Sequence, residues 1–181
     1  MKKLLALFCV AVLLILAGCG GNGSSVPEPD PADYPTDFAI RFEYWITEGQ
    51  KNILDTGESY LQKDLVRAGT AETEFTPDET LLREIWAEAV KNDLTSIRQT
   101  MTSVFLSKDG MVIAAQPLQC YRITLRMNGE TYAVAGDATV GHYVEENDEA
   151  NRFWTFCRYM SETMWGLDAW QALPEAQGGY Q

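Results

Sequence analysis

The stretch CYRITLRMNGETYAVAG at residues 120–136 constrains the fold more than any other part of the chain. Asn128-Gly129 suits a two-residue type I′ turn, whose central residues both need a positive φ that Asn and Gly tolerate best. With the turn placed there, Leu125 faces Tyr132 and Ile123 faces Val134 on one side of a hairpin. Arg126 then meets Thr131, and Thr124 meets Ala133, on the other side. A one-residue slip would throw every apolar side chain to the wrong face, so turn chemistry and hydrophobic pattern specify one register independently. An antiparallel sheet with one buried face follows.

The same alternation recurs in DFAIRFEYWIT. Phe38, Ile40, Phe42, Tyr44 and Ile46 share one face while Arg41, Glu43 and Thr47 take the other, which predicts a half-buried antiparallel strand. EGQKN turns the chain into a weaker strand region over residues 53–66. Arg67-Ala68-Gly69 turns it again, toward a short strand ending at Phe75. A further hairpin is predicted for residues 101–106 and 111–115 around SKDG.

Helical periodicity occurs twice. Thr76-Pro77-Asp78-Glu79 reads as a capping box, with Thr76 as N-cap, Pro77 in the first helical position and Glu79 three residues after the cap. Leu81, Leu82, Ile85, Trp86, Ala89 and Val90 then recur on one face and predict a helix over residues 77–91. A second helix is predicted over residues 147–165. Its stripe of Phe153, Cys157, Met160 and Met164, with Phe156 beside it, is core material, and Gly166 ends it. The expected class is α+β: an antiparallel meander of about six to seven strands with two amphipathic helices packed on one face. It fills a single domain, residues 36–181, including a C-terminal tail. In that tail Trp170 and Leu173 dock on the domain, and Pro174 and Gly178-Gly179 stop any helix.

Reactive motifs are sparse. His142 is the one histidine, and CxxC, a phosphate-binding glycine loop, GxSxG and HExxH are missing from the sequence. A multi-histidine zinc centre and a Ser-His-Asp triad are therefore unsupported, and no cofactor is expected. His142 falls between Gly141 and Tyr143, before the second helix, and reads as a solvated loop residue. Ile53-Leu54-Asp55-Thr56-Gly57 resembles the Asp-Thr-Gly element of aspartic proteases, with Val134-Ala135-Gly136 as their later apolar-apolar-Gly element. That resemblance implies Asp55 as catalytic acid and base, with a symmetric dimer supplying the second carboxylate. Glu58 departs from the pattern by standing where a small residue is usual, and the hairpin already accounts for Val134. Glu145, Glu146, Asp148 and Glu149 cluster at the start of the second helix, where carboxylates complement unpaired N–H groups. The same oxygens make them calcium candidates, although their spacing is not that of an EF-hand loop. Cys120 and Cys157 read either as a disulfide or as two buried thiols, and spacing leaves both open.

Ahead of the domain the sequence changes character. Lys2 and Lys3 precede an apolar block over residues 4–17, too short for a hydrocarbon core of ~30 Å but shaped like the central region of an export signal. Leu16-Ala17-Gly18-Cys19 resembles the lipobox of bacterial lipoproteins. The resemblance implies a signal peptide over residues 1–18, cleaved to leave Cys19 first, with a diacylglyceryl group on its sulfur. Such an anchor holds the protein on the extracytoplasmic face of the cell membrane, because two acyl chains give stable attachment where one does not. Residues 19–35, carrying most of the seven prolines together with Gly and Ser, read as a flexible tether. The chain has 26 acidic and 14 basic residues, a net charge of −12, and loss of Lys2 and Lys3 makes it more acidic still. Phosphate backbones repel such a chain, so nucleic acid is not an expected partner.

Four stretches, NILDTGESYLQKDLV, FTPDETLLREIW, PLQCYRITLRMNGETYAV and LPEAQGGY, resemble small, uncharacterised secreted proteins and lipoproteins of Gram-positive bacteria. The resemblance implies export and a lipid anchor, and it transfers no activity. The expected function is a membrane-tethered, non-catalytic binding or interaction domain with an envelope partner or ligand. Two alternatives carry distinct expectations. An extracytoplasmic enzyme using carboxylates would gather several of Asp55, Glu58, Asp64, His142 and Glu145 in one pocket, and a solute-binding accessory protein would carry an apolar cleft.

Overall fold

Asn128 and Gly129 both adopt positive φ, 54° and 76°, in the computed structural model of the chain, which describes residues 30–112 and 116–180. The flanking strands, β5 (Cys120–Met127) and β6 (Glu130–Asp137), pair in the predicted register, with Leu125 opposite Tyr132 and Ile123 opposite Val134. Asp37 fastens the turn from outside the hairpin. Its two carboxylate oxygens accept from the Asn128 and Gly129 N–H groups at 2.7 Å each, and these backbone donors hold its pKa below the usual carboxylate range.

Four strands precede this hairpin: β1 (Ala39–Thr47), β2 (Gln50–Asp55), β3 (Tyr60–Asp64) and β4 (Thr70–Glu74). The weaker strand region expected over residues 53–66 resolves into the end of β2 and the whole of β3, joined by a turn over residues 56–59. Every pairing is antiparallel, and the sheet runs β4-β3-β2-β1-β5-β6. The first four strands form a meander; the chain then crosses to the other side of β1 before adding the last two. The α+β class and its antiparallel meander are as the sequence predicts, with six strands in the sheet.

The central strand carries the core. Phe42 stands between Leu54 of β2 and Ile123 of β5, and all three are fully buried. Two helices cover this face. Helix α1 (Glu79–Lys91) starts two residues later than predicted, because Asp78 rather than Thr76 is its N-cap and accepts from the Leu81 N–H at 2.8 Å. A carboxylate at this position is favoured by both the orphan N–H groups and the helix dipole. Helix α3 (Asp148–Gly166) lies within one residue of expectation, with Asn147 accepting from the Ala150 N–H. Its stripe of Phe153, Phe156, Cys157, Met160 and Met164 is fully buried. Arg152 ties the two helices' ends together, since its Nη1 donates to the Asp93 carbonyl and carboxylate just beyond α1.

The hairpin expected around SKDG does not form. Met101 alone bridges to β6, its N–H donating to Ala135 O and its carbonyl accepting from Asp137 N–H. From there the chain winds into a helical turn, α2 (Ser103–Leu106). Met111 and Val112 have no strand structure, and residues 113–115 lie outside the described residues. The β-branched and aromatic residues of MTSVFL suit a strand in isolation; however, a strand needs a partner row of backbone groups, and only Met101 finds one on the β6 edge.

Of the two readings left open for Cys120 and Cys157, topology excludes the disulfide. Cys157 projects from α3 into the helix-covered core, whereas Cys120 begins β5 on the face shared with Arg122 and Thr124. The sheet stands between them, and both are free thiols. Burial raises the pKa of each, with the Asp137 charge adding to the effect at Cys120, so neither is a ready nucleophile. Alkylation of the unfolded, unreduced domain is expected to modify both cysteines, as read by intact mass. A species of unmodified mass that gains two labels only after reduction would contradict the placement.

Beyond α3, the short helix α4 (Asp168–Gln171) buries Trp170, and Leu173 follows it into the core. The tail then departs from expectation by continuing onto the sheet. Gln177 donates its N–H to Leu65 O at 3.1 Å, forming a parallel bridge with Val66. The Tyr180 hydroxyl donates to Asp64 Oδ2 at 2.6 Å. Among the described residues no helix is long and apolar enough to cross a membrane.

Candidate functional site

The docked tail closes one side of a cleft of about 460 Å³ at the end of the sheet where β1 and β3 finish and β2 begins. Tyr44, Trp45, Asn52, Lys63 and Asp64 come from the strands, Trp165 from the end of α3, Trp170 and Gln171 from α4, and Glu175, Ala176 and Tyr180 from the tail. Its volume lies in the range of small-molecule sites, and large aromatic walls with a few polar groups are their usual lining.

The aromatic walls are fixed. Trp165 Nε1 donates to the Tyr44 hydroxyl at 2.9 Å, which joins helix α3 to β1 across the cleft floor. Burial pushes the Tyr44 pKa up to about 12, against the smaller opposing effect of that hydrogen bond. The stability linked to this group is fully present below its unfolded pKa of about 10, and it is lost as pH rises through the folded value. Urea melts from pH 9 to pH 12 are expected to show falling stability, with a shallower fall in Tyr44→Phe. Parallel slopes for the two proteins would contradict the assignment. Tyr180, also raised to about 12 by burial and its bond to Asp64, accounts for part of the fall that remains.

Lys63 is the unusual member of the set. It shares the core-facing side of β3 with Leu61, and its side chain is only 9% exposed. The indole of Trp170 lies 5.4 Å from its ammonium. Its charged partner is Glu175 Oε1 at 3.7 Å, beyond hydrogen-bonding distance, on a side chain 89% exposed. The neighbouring carboxylate, Asp64, has its oxygens engaged by the Val66 N–H and the Tyr180 hydroxyl.

The residues singled out from the sequence are dispersed. Asp55 and Glu58 border a separate concavity of about 210 Å³ on the sheet face without helices, beside Arg41 and Arg126. There the Asp55 carboxylate holds the turn together: Oδ1 accepts from the Gly57 and Glu58 N–H groups, each at 3.0 Å, and Oδ2 accepts from Arg41 at 2.8 Å. Thr56 Oγ1 accepts from Ile40 N–H at 2.9 Å. Asp55 and Thr56 thus tie the turn to β1, and Gly57 closes the turn on Asp55. The same face carries a charge layer in which buried Glu43 is ringed by Arg41, Lys51 and Arg122, at 3.2, 3.8 and 3.9 Å. Asp64 lies in the aromatic cleft, while His142 and Glu145 are exposed and border neither concavity.

The acidic cluster does not converge. Glu146 faces Lys108 at 3.5 Å and Asp148 faces Arg152 at 3.0 Å, while Glu145 stands in solvent. Glu149 lies in the first turn of α3. Among the described residues no group of three or more His, Cys, Asp or Glu is placed to hold a metal ion. The calcium reading is thereby corrected to charge placement at a helix start, where two of the carboxylates meet basic side chains. Lys63, Trp165 and Tyr180 were absent from the sequence-derived set. Only Lys63 left a signal, as a charge at an inward position of the Leu61-Gln62-Lys63 alternation. No protein-family model matches the chain, and no curated protein is significantly similar to it.

Proposed function

We propose that this protein is a membrane-tethered extracytoplasmic lipoprotein whose folded domain is a non-catalytic binding module, with the aromatic cleft as its ligand site. The cleft carries the reading: five elements and the chain's own tail converge on a concavity of small-molecule size, walled by Trp165, Trp170, Tyr44 and Tyr180. A concave site of this kind favours a small solute over a flat protein surface, and so the solute-binding form of the module. The carboxylate enzyme has less support, since its five residues are divided among separate places and Asp55 is engaged in holding a turn. Tethering rests on Leu16-Ala17-Gly18-Cys19 and the Gly, Ser and Pro stretch after it; both lie outside the described residues, apart from residues 30–35.

Two measurements test the two halves of the proposal. Cys19→Ala should move the protein from the membrane fraction to the soluble fraction or stall its processing, whereas a normally processed, membrane-bound variant would overturn the anchor. For the module, a small-molecule screen followed by nitrogen-proton correlation spectra should give ligands that shift the indole N–H signals of Trp165 and Trp170. Ligands that shift only signals elsewhere would overturn the site.

A further inference from the structure

Lys63 brings a positive charge, on a side chain only 9% exposed, to the wall of the cleft. Burying an ammonium is costly unless an opposite charge and hydrogen-bond acceptors compensate it. Lys63 Nζ has the Trp170 ring at 5.4 Å and one carboxylate, Glu175, at 3.7 Å. Asp64 does not fill the gap, because it follows Lys63 in the strand and its oxygens accept from Val66 N–H and Tyr180 OH at 2.7 and 2.6 Å. The Glu175 side chain is almost fully solvated, one residue past Pro174 in the tail. An ion pair with a solvated partner contributes little and is readily exchanged.

We infer that the cleft binds a small ligand carrying a carboxylate beside a flat apolar face, the carboxylate taking the place of Glu175 on Lys63 and the face lying against Trp170 or Trp165. This rests on the proposal that the cleft is a ligand site, and it deepens that proposal. Glu175 is then an internal stand-in that neutralises Lys63 when the cleft is empty and competes with the ligand for it. A bound carboxylate can reach hydrogen-bonding distance of the Lys63 ammonium on the cleft wall, where a charge-assisted bond is roughly twice as strong as a neutral one. An acidic sugar and an aryl acid share this chemistry, since a pyranose face and a benzene ring both suit an indole wall.

The test titrates four probes into the domain and follows the Trp165 and Trp170 indole N–H signals: D-glucuronate and its neutral amide D-glucuronamide, and phenylacetate with phenylacetamide. In the wild-type domain each acid should bind more tightly than its amide, and the pair with the larger difference identifies the sugar or the aryl acid as the natural source. Glu175→Gln should tighten binding of the acid about tenfold and leave the amide unchanged. Lys63→Met should abolish the preference. Equal affinities for acid and amide in the wild type and in Glu175→Gln would overturn the inference while leaving the ligand site standing. If no probe moves either indole signal even in Glu175→Gln, the inference falls, while the ligand site stands or falls by the small-molecule screen. Glu175 is exposed and makes no packing contribution, so this arm reports whether or not Lys63→Met folds.

Discussion

Phe42→Ala is expected to lower the free energy of unfolding by about 3–5 kcal/mol, the range for removing a fully buried aromatic ring. Phe42 sits at the middle of the central strand, with Leu54 and Ile123 as its cross-strand neighbours and the Tyr44 and Tyr121 rings at 5.9 and 6.4 Å. Helix α3 covers this face, so the surroundings cannot collapse into the space without moving the helix off the sheet. A domain of this size is stable by only about 5–15 kcal/mol, and the substitution therefore removes a large share of the total. Urea denaturation should show a much lower midpoint. Phe42→Leu should lose less, and Phe105→Ala, on the half-exposed turn α2, should change stability by no more than about 0.5 kcal/mol. Equal effects at Phe42 and Phe105 would contradict the central position assigned to β1.

Local and tertiary information are unequally legible in this chain. The β5–β6 register was readable because Asn128-Gly129 and the apolar alternation are both short-range and agree residue by residue. The long helix α3 was readable because nineteen residues repeat one periodicity between an Asn cap and a Gly. The start of α1 was less so, since Thr76 and Asp78 are both competent caps and the choice depends on which one meets the first free N–H groups. Residues 101–106 misled because Thr102, Val104 and Phe105 are residue types that suit a strand, while the decision lay with the β6 edge, more than thirty residues ahead in sequence. Turn polarity misled in the other direction at Asp55. The Asp-Thr-Gly triplet resembles a catalytic element, yet an Asp that can accept from N–H groups two and three residues on is also the residue a tight turn requires.

The cleft was the least legible part. Its walls come from β1, β2, β3, α3, α4 and a tail that returns over more than a hundred residues to place Tyr180 on Asp64. No window of sequence contains two of these parts together with Lys63 and Glu175. What the sequence did hold was an inward Lys in β3. Near the end of a short strand such a residue is commonly a device against edge pairing; here the strand is internal to the sheet, and that explanation does not apply. An inward charge on an internal strand is thus a usable pointer to a site, provided the strand order is known.

Gly136→Ala is the second substitution expected to be costly, and it reports on the junction where three segments meet. Gly136 faces the core from β6, opposite Tyr121. A Cβ there would come within 2.7 Å of both the Met101 carbonyl oxygen and Phe153 Cε1, and 2.9 Å of Met101 Cβ. Two of these three contacts cannot yield by turning a flexible side-chain end. The Met101 carbonyl is held by the Asp137 N–H at 3.0 Å, and Cβ moves only with its backbone. Relief requires shifting the Met101 bridge outward and tilting Phe153, which would carry α3 away from the sheet. Overpacking of this kind costs about 1–3 kcal/mol, and a clash against backbone places this site at the upper end. The same crowding explains why a residue without a side chain stands opposite Tyr121 in an otherwise bulky layer. Phe153→Leu, destabilising alone, should partly rescue Gly136→Ala, because it removes the ring edge that the new methyl meets. The double-mutant cycle should therefore show a coupling energy well above the about 0.5 kcal/mol seen for independent sites. Strict additivity of the two substitutions would mean that α3 does not press on β6 at this point, and the packing of the long helix across the sheet would need revision.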